Sequence, residues 1–128
     1  MTDQELIAKA VQAQENAYAP YSSYAVGAAL LTRQGHVYTG CNVENASFSL
    51  TICAERSAVF SAVSRGEHEF GAIAIVTSNG GAPCGACRQV LAEFGLDTRV
   101  LIATPEGLQS ETTVRDLLPG AFSGRDLP

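Results

Sequence analysis

The sequence predicts an α/β protein built on a single mixed β-sheet of about five strands, with helices on both faces. Three observations predict it. The run Ala72-Ile73-Ala74-Ile75-Val76 is apolar at every position, the pattern of a strand covered on both sides. A hairpin near the N-terminus supplies antiparallel strands, and helix and strand alternate after it. The length of 128 residues, 46% of them hydrophobic, suits one domain over 1–128 with a sizeable core.

Each element has its own signal. Thr2-Asp3-Gln4-Glu5 has the spacing of a capping box, in which Thr2 caps the helix and Glu5 reaches back. Leu6, Ile7, Ala10, Val11, Ala17 and Tyr18 then recur at helical spacing, and Pro20 stops the helix. A strand is expected from about Tyr24 to Thr32, a turn at Gln34-Gly35, and a returning strand from Val37 to Cys41. Asn42 to Leu50 is polar and loop-like. A second helix is expected from about Thr51 to Arg65, with Ile52, Val59, Phe60 and Val63 on one face and Gly66 as its stop. The buried strand Phe70 to Thr77 follows, then the Gly-rich loop Ser78 to Pro83. A third helix spans roughly Cys84 to Phe94 and ends at Gly95. Val100 to Ala103 reads as a buried strand, Pro105-Glu106-Gly107 as a turn, and Gln109 to Thr112 as a short polar strand. Thr113 to Asp116 caps a last short helix before Pro119, and the polar tail from about Ser123 is expected to be loose.

Composition excludes several function classes. There are 13 acidic and 8 basic residues, for a net charge of -5. The basic residues are Lys9 and seven scattered arginines, with no stripe to track a nucleic-acid backbone. No segment has the apolar length of a membrane span. Residues Met1 to Glu15 lack the apolar core of a signal peptide, so a cytoplasmic protein is expected. In that compartment a Cys-x-x-Cys is metal-binding or redox-active more often than structural. The low charged fraction, 16%, hints at an oligomer.

The chemistry concentrates in two clusters, Cys53-Ala54-Glu55 and Pro83-Cys84-Gly85-Ala86-Cys87. Zinc takes four ligands, and a catalytic site leaves one position to water, so three thiolates make an open site. Both clusters open expected helices, whose N-termini stabilise thiolates. Each helix follows a strand of one sheet, so the two N-termini can share a crevice at the carboxyl ends of the strands. Glu55 stands where it can move the protons of a bound water. This layout, with Cys-x-Glu followed by Pro-Cys-x-x-Cys, is that of zinc-dependent base deaminases. Three thiolates on Zn²⁺ leave a net negative centre, which opposes ionisation of the water. Arg56 is the expected donor that offsets this, with Arg88 the second choice. Other readings stand beside this one. Cys84 and Cys87 alone suit a redox dithiol, though that leaves Cys53-Ala54-Glu55 unexplained. Cys41 is read as a small buried apolar residue, and alternatively as a fourth ligand that closes the site into a structural zinc module.

The chain resembles the cytidine deaminases of the short, homotetrameric class. The resemblance rests on Asn42-Val43-Glu44-Asn45-Ala46-Ser47, Thr51 to Arg56, Pro83 to Gln89 and Leu117 to Phe122, with Ala19-Pro20-Tyr21-Ser22 and Val26 to Leu30 matching as well. It runs from about Tyr18 to Phe122 and implies a three-layer α-β-α fold. It further implies one Zn²⁺ per chain on Cys53, Cys84 and Cys87, with Glu55 as general acid and base. Asn42 and Glu44 would bond the ribose hydroxyls, and the backbone of Ala54 the pyrimidine carbonyl. Tyr24 would lie beside the base, and Phe122 would reach the site of a neighbouring subunit. The implied partners are a nucleoside substrate and three further copies of the chain, and the implied role is pyrimidine salvage. A deaminase of a nucleoside antibiotic or of single-stranded nucleic acid is the rival within the same chemistry. The acidic balance and the Asn42/Glu44 pair favour a free nucleoside. Two departures stand out. The family often carries Phe then Pro where this chain has Tyr24-Ala25, so the Tyr24 hydroxyl needs a partner. The loop Ser78 to Ala82 is also short compared with many relatives.

Overall fold

The computed structural model describes all residues, 1–128. In chain order the elements are α1 (Asp3–Gln14), β1 (Gly27–Thr32), β2 (Val37–Cys41), α2 (Ala54–Ser64), β3 (Phe70–Val76), α3 (Gly85–Phe94), β4 (Arg99–Thr104), β5 (Gly107–Thr113) and α4 (Val114–Leu117). Single 3-10 turns lie at Phe48–Leu50 and Gly124–Asp126. The five strands form one mixed sheet in the order β2-β1-β3-β4-β5, antiparallel except for the parallel pair β3 and β4.

Alternation along the strands divides the core between the two faces of the sheet. Leu6, Ile7 and Ala10 of α1 pack on Ala29, Ala72, Ala74, Val76, Leu101 and Ala103. On the other face, Ala58, Val59 and Ala62 of α2, Leu91 of α3 and Val114 of α4 pack on Leu30, Ile73, Ile75, Val100 and Ile102. The expected three layers are therefore present, with one helix on one face and three on the other. The strand read as apolar throughout, β3, sits in the middle of the sheet with its alanines toward α1 and its isoleucines toward α2 and α3.

The strand directions place the site. Gly27, at the start of β1, pairs with Cys41 at the end of β2 and with Val76 at the end of β3. The carboxyl ends of β2 and β3 thus flank one point. The chain leaves those two ends to form α2 and α3, whose N-termini meet there.

Several boundaries differ from expectation. The Thr2/Glu5 capping box forms, with Glu5 N–H donating to Thr2 Oγ1 at 3.1 Å and Thr2 N–H to Glu5 Oε1 at 3.0 Å. The helix nevertheless ends at Gln14, short of Ala17 and Tyr18. Tyr18 instead donates its N–H to the Asn42 carbonyl at 2.9 Å and accepts from Glu44 N–H at 2.8 Å, so tertiary pairing overrides helical spacing. Strand β1 starts at Gly27 and not at Tyr24. The Asn42 side chain captures the backbone before it, taking Val26 N–H on Oδ1 at 2.9 Å and giving Nδ2–H to the Tyr24 carbonyl at 2.8 Å. The buried stripe of α2 is Ala54, Ala58, Val59 and Ala62. Phe60 is exposed and Ile52 lies before the helix, bridged to Val43. Small residues face inward because the helix lies close on β2. A Cβ added to Gly40 would stand 2.6 Å from the backbone atoms of both Ala54 and Ala58. The tail is also ordered locally. Ser123 caps the last 3-10 turn, and its N–H donates to Asp126 Oδ2 at 2.8 Å.

Candidate active site

Cys53 and Cys84 are the N-caps of α2 and α3, and Cys87 lies in the first turn of α3. Sequence spacing placed Cys53 and Cys84 inside the first turn of their helices, with starts expected at about Thr51 and Cys84. The N-cap location matters, because neither sulfur is spent on capping and both are free to ligate. All four cysteines are unpaired thiols. The Sγ atoms of Cys53, Cys84 and Cys87 lie within 4.8 Å of one another. Cys53 Sγ is 3.9 Å from Cys84 Sγ, and Cys84 Sγ is 3.5 Å from Cys87 Sγ. Zn–S bonds of ~2.3 Å at tetrahedral angles require sulfurs about 3.8 Å apart. The cluster therefore fits zinc with little movement, and is much too open for disulfides. Cys41, half-buried at the end of β2, stands outside this cluster, and burial pushes its thiol up. The fourth ligand of the closed-module reading is thus not supplied by the fold.

Arg56 Nη2–H donates to Cys53 Sγ at 3.2 Å. The offsetting charge expected from sequence is in place on the sulfur. Contact with Cys53 holds Arg56 above its ordinary value. Its Nε is buried without a partner, which leaves a second donor available at the cluster. Cys53 itself is brought down to about 5. The main cause is hydrogen bonding from Cys87, working against burial, and Arg56 adds to it. Cys87 moves the other way, raised by its bond to Cys53 and by burial. Arg88, the second choice for this duty, serves elsewhere. Its Nε–H donates to the Pro83 carbonyl at 2.8 Å and its Nη1–H to the Leu117 carbonyl at 2.9 Å, which ties the loop before Cys84 to the end of α4.

A cavity of about 300 Å³ opens over the cluster. Its lining is Ser22, Tyr24, Val26, Asn42, Glu44, Phe48, Thr51, Cys53, Ala54, Glu55, Ile75, Thr77, Gly81, Ala82 and Cys84. That is a small-ligand pocket with an apolar wall and a few convergent polar groups. Glu55 is buried at its base, and burial pushes the carboxyl up against the pull of its own backbone N–H. Ala54 is fully buried in the first turn of α2, where helix geometry leaves backbone N–H groups without intrahelical acceptors.

Asn42 and Glu44 both line the cavity, and both are already engaged. Asn42 holds Tyr24 and Val26 as described. Glu44 Oε1 accepts Tyr21 N–H at 2.9 Å and Ser22 N–H at 3.1 Å, and Oε2 accepts the Ser22 hydroxyl. The Ser22 hydroxyl is the first cause of the lowered Glu44 pKa, and the two backbone N–H groups add to it. Asn42 retains one Nδ2–H, and the Glu44 carboxylate retains unused acceptor capacity, for a ligand. Tyr24 lines the cavity, and its hydroxyl finds the partner it needs in Asn79 Oδ1 at 2.7 Å. Phe122 does not line the cavity of its own chain. It is exposed, and its carbonyl accepts from Gln89 Nε2 at 3.0 Å. Sequence reasoning passed over Phe48, Thr77, Asn79 and Gly81. Nothing in their spacing marks them, because loop conformation alone brings Phe48, Thr77 and Gly81 to the pocket and Asn79 to the Tyr24 hydroxyl.

Comparison with known proteins agrees with this geometry. Residues 1–104 match the family model described as the cytidine and deoxycytidylate deaminase zinc-binding region. A cytidine deaminase of Sporosarcina psychrophila is 52% identical over 130 aligned positions, covering 99% of this chain and 96% of that protein. One from Halalkalibacterium halodurans is also 52% identical, covering 99% and 98%. The solved structure of a cytidine deaminase from Burkholderia pseudomallei superposes with a TM-score of 0.91 at 52% identity, covering 95% of this chain and 100% of that one. The corresponding Mycobacterium tuberculosis structure gives 0.82 at 44% identity, covering 95% and 98%.

Proposed function

Because the chain belongs to the cytidine deaminase family, we propose how its residues carry out the reaction it catalyses, the zinc-dependent hydrolytic deamination of cytidine to uridine with release of ammonia. Deoxycytidine is read as a second substrate, giving deoxyuridine. The observation that carries the reading is the meeting of three thiols and one buried carboxylate at the base of a nucleoside-sized pocket.

Cys53, Cys84 and Cys87 would hold the zinc, and Arg56 withdraws charge from the Cys53 sulfur. A zinc ion held there would supply the acidity that lets a water ionise near neutral pH. Glu55 takes a proton from the attacking water and passes one to ring N3 as the oxygen adds to C4. The same carboxyl then takes the remaining proton of the new C4 hydroxyl and delivers it to the exocyclic amine, and the C4–N bond breaks to release ammonia and leave the C4 carbonyl of uridine. Both transfers require one carboxyl within hydrogen-bond reach of water, N3 and amine. A carboxyl at the pocket base, next in the helix to the pocket-lining Ala54, suits that requirement. The Ala54 backbone N–H meets the pyrimidine carbonyl. Asn42 and Glu44 use their remaining donor and acceptor capacity on the ribose hydroxyls, and Tyr24 lies beside the base.

We further read the enzyme as a cytoplasmic homotetramer of the pyrimidine salvage route, with Phe122 of each chain reaching a neighbour's site. Exposed Phe48 in the pocket lining, with exposed Tyr21, Val43 and Leu50 next in sequence to the lining residues Ser22, Asn42 and Thr51, supports a covered rim. No helix is long and apolar enough to cross a membrane. The test is an ultraviolet assay with cytidine, with metal analysis of the same sample. Loss of the cytidine spectrum with ammonia release, at about one zinc per chain, is expected. Zinc without turnover of either nucleoside would refute the substrate.

A further inference from the structure

We propose that Tyr24 and Asn79 form a clasp between the two loops at the pocket mouth, and that this clasp sets how tightly the nucleoside is held. The inference rests on reading the cavity as the nucleoside site. One loop, Tyr18 to Val26, brings Tyr24. The other, Ser78 to Pro83, brings Asn79 and Gly81 and leads into Cys84. Both loops contribute to the lining, the first through Ser22, Tyr24 and Val26 and the second through Gly81 and Ala82.

The Tyr24 backbone is fixed on both sides. Its N–H donates to Ser22 Oγ at 3.0 Å, and its carbonyl accepts from Asn42 Nδ2 at 2.8 Å. The ring therefore leaves a rigid base. Its hydroxyl donates to Asn79 Oδ1 at 2.7 Å. The same Asn79 oxygen lies 3.4 Å from Thr77 Oγ1, and Thr77 Oγ1 accepts Gly81 N–H at 2.9 Å. One phenol thus closes a relay of hydrogen bonds that runs through the whole short loop, and such relays strengthen their members. The fit is close. A Cβ on Gly81 would stand 2.5 Å from the Tyr24 oxygen, so a larger residue there would displace the phenol. Beyond Gly81 the loop is held from behind by Arg88 at the Pro83 carbonyl. Front and rear ties together leave the segment before Cys84 little freedom. With its hydroxyl occupied, the tyrosine can offer its ring face to the pocket while its oxygen stays bonded to the opposite loop.

The clasp holds a wall and takes no part in proton transfer, so its loss falls on binding. Tyr24→Phe keeps the ring and removes the bond, and Asn79→Ala removes the acceptor from the other side. Each is expected to raise KM for cytidine about three- to tenfold, the worth of one net hydrogen bond, with kcat within about twofold. Because both remove the same bond, the double variant is expected to match the single ones and not to multiply them. Zinc content stays the same in all three. Hydrogen exchange at the Gly81 amide is expected to quicken by a similar factor in each variant. Unchanged KM in both single variants, or multiplicative effects in the double, would overturn the clasp. Should the unaltered protein fail to turn over cytidine, the nucleoside reading falls separately. Gly81 exchange then decides the clasp alone, faster in the variants if it exists and unchanged if it does not.

Discussion

At the scale of single residues, the site depends on one carboxyl kept apart from water. Glu55 is buried while its sequence neighbour Arg56 is spent on the Cys53 sulfur, so the two charges do not simply neutralise each other. Glu55→Gln preserves shape and removes the proton acceptor. Turnover is expected to fall about 10²- to 10⁴-fold, the usual worth of a positioned acid or base, with zinc content and thermal midpoint nearly unchanged. A variant with half the normal kcat would remove Glu55 from the mechanism. At this scale the sequence was most legible for the thiols, because metal ligands must be particular residue types at particular spacings. It was least legible for Asn42 and Glu44. Their residue types say only that they are polar, and the structure spends most of their bonding capacity on holding Tyr21 to Val26.

At the scale of elements, the placement of α2 positions one thiol of the cluster, a pocket wall and the carboxyl, since Cys53 caps it and Ala54 and Glu55 open it. Gly40 sets that placement. Its hydrogen lies where a methyl would press on the backbone of Ala54 and Ala58, which cannot move aside as a flexible side chain could. Gly40→Ala is expected to destabilise the protein by about 1–3 kcal/mol, as overpacking does, and to lower kcat. Urea unfolding and steady-state kinetics on one sample measure both. Full activity in a destabilised variant would mean that helix depth does not tune the carboxyl. The glycine reads as an ordinary strand residue in the sequence, because close approach of a helix is a property of the partner and not of the strand. Of the expected face of α2, Val59 and Val63 do meet the core, while Ile52 lies before the helix and Phe60 faces outward for the same reason. Alanines face inward where the backbone of β2 is near, and Phe60 is left outside.

For the whole molecule, the exposed aromatic and aliphatic rim around the pocket and the exposed Phe122 make a prediction about assembly. Gel filtration is expected to give four times the 13.4 kDa chain mass. Phe122→Ala is expected to raise KM for cytidine or to shift the elution toward smaller species, and a monomer with full activity would exclude a shared site. Sheet, layers and thiol clusters follow from the sequence alone. Periodicity, capping residues and ligand spacing are local properties, and local properties are written in order along the chain. Tertiary structure alone decided where α1 stops, that β1 begins at Gly27, that Arg88 braces a loop while Arg56 serves the metal cluster, and that Tyr24 finds Asn79. Each of these turns on a hydrogen bond or a close contact between residues distant in sequence. Which of several polar partners a group takes is settled only when folding brings them within about 3 Å of one another.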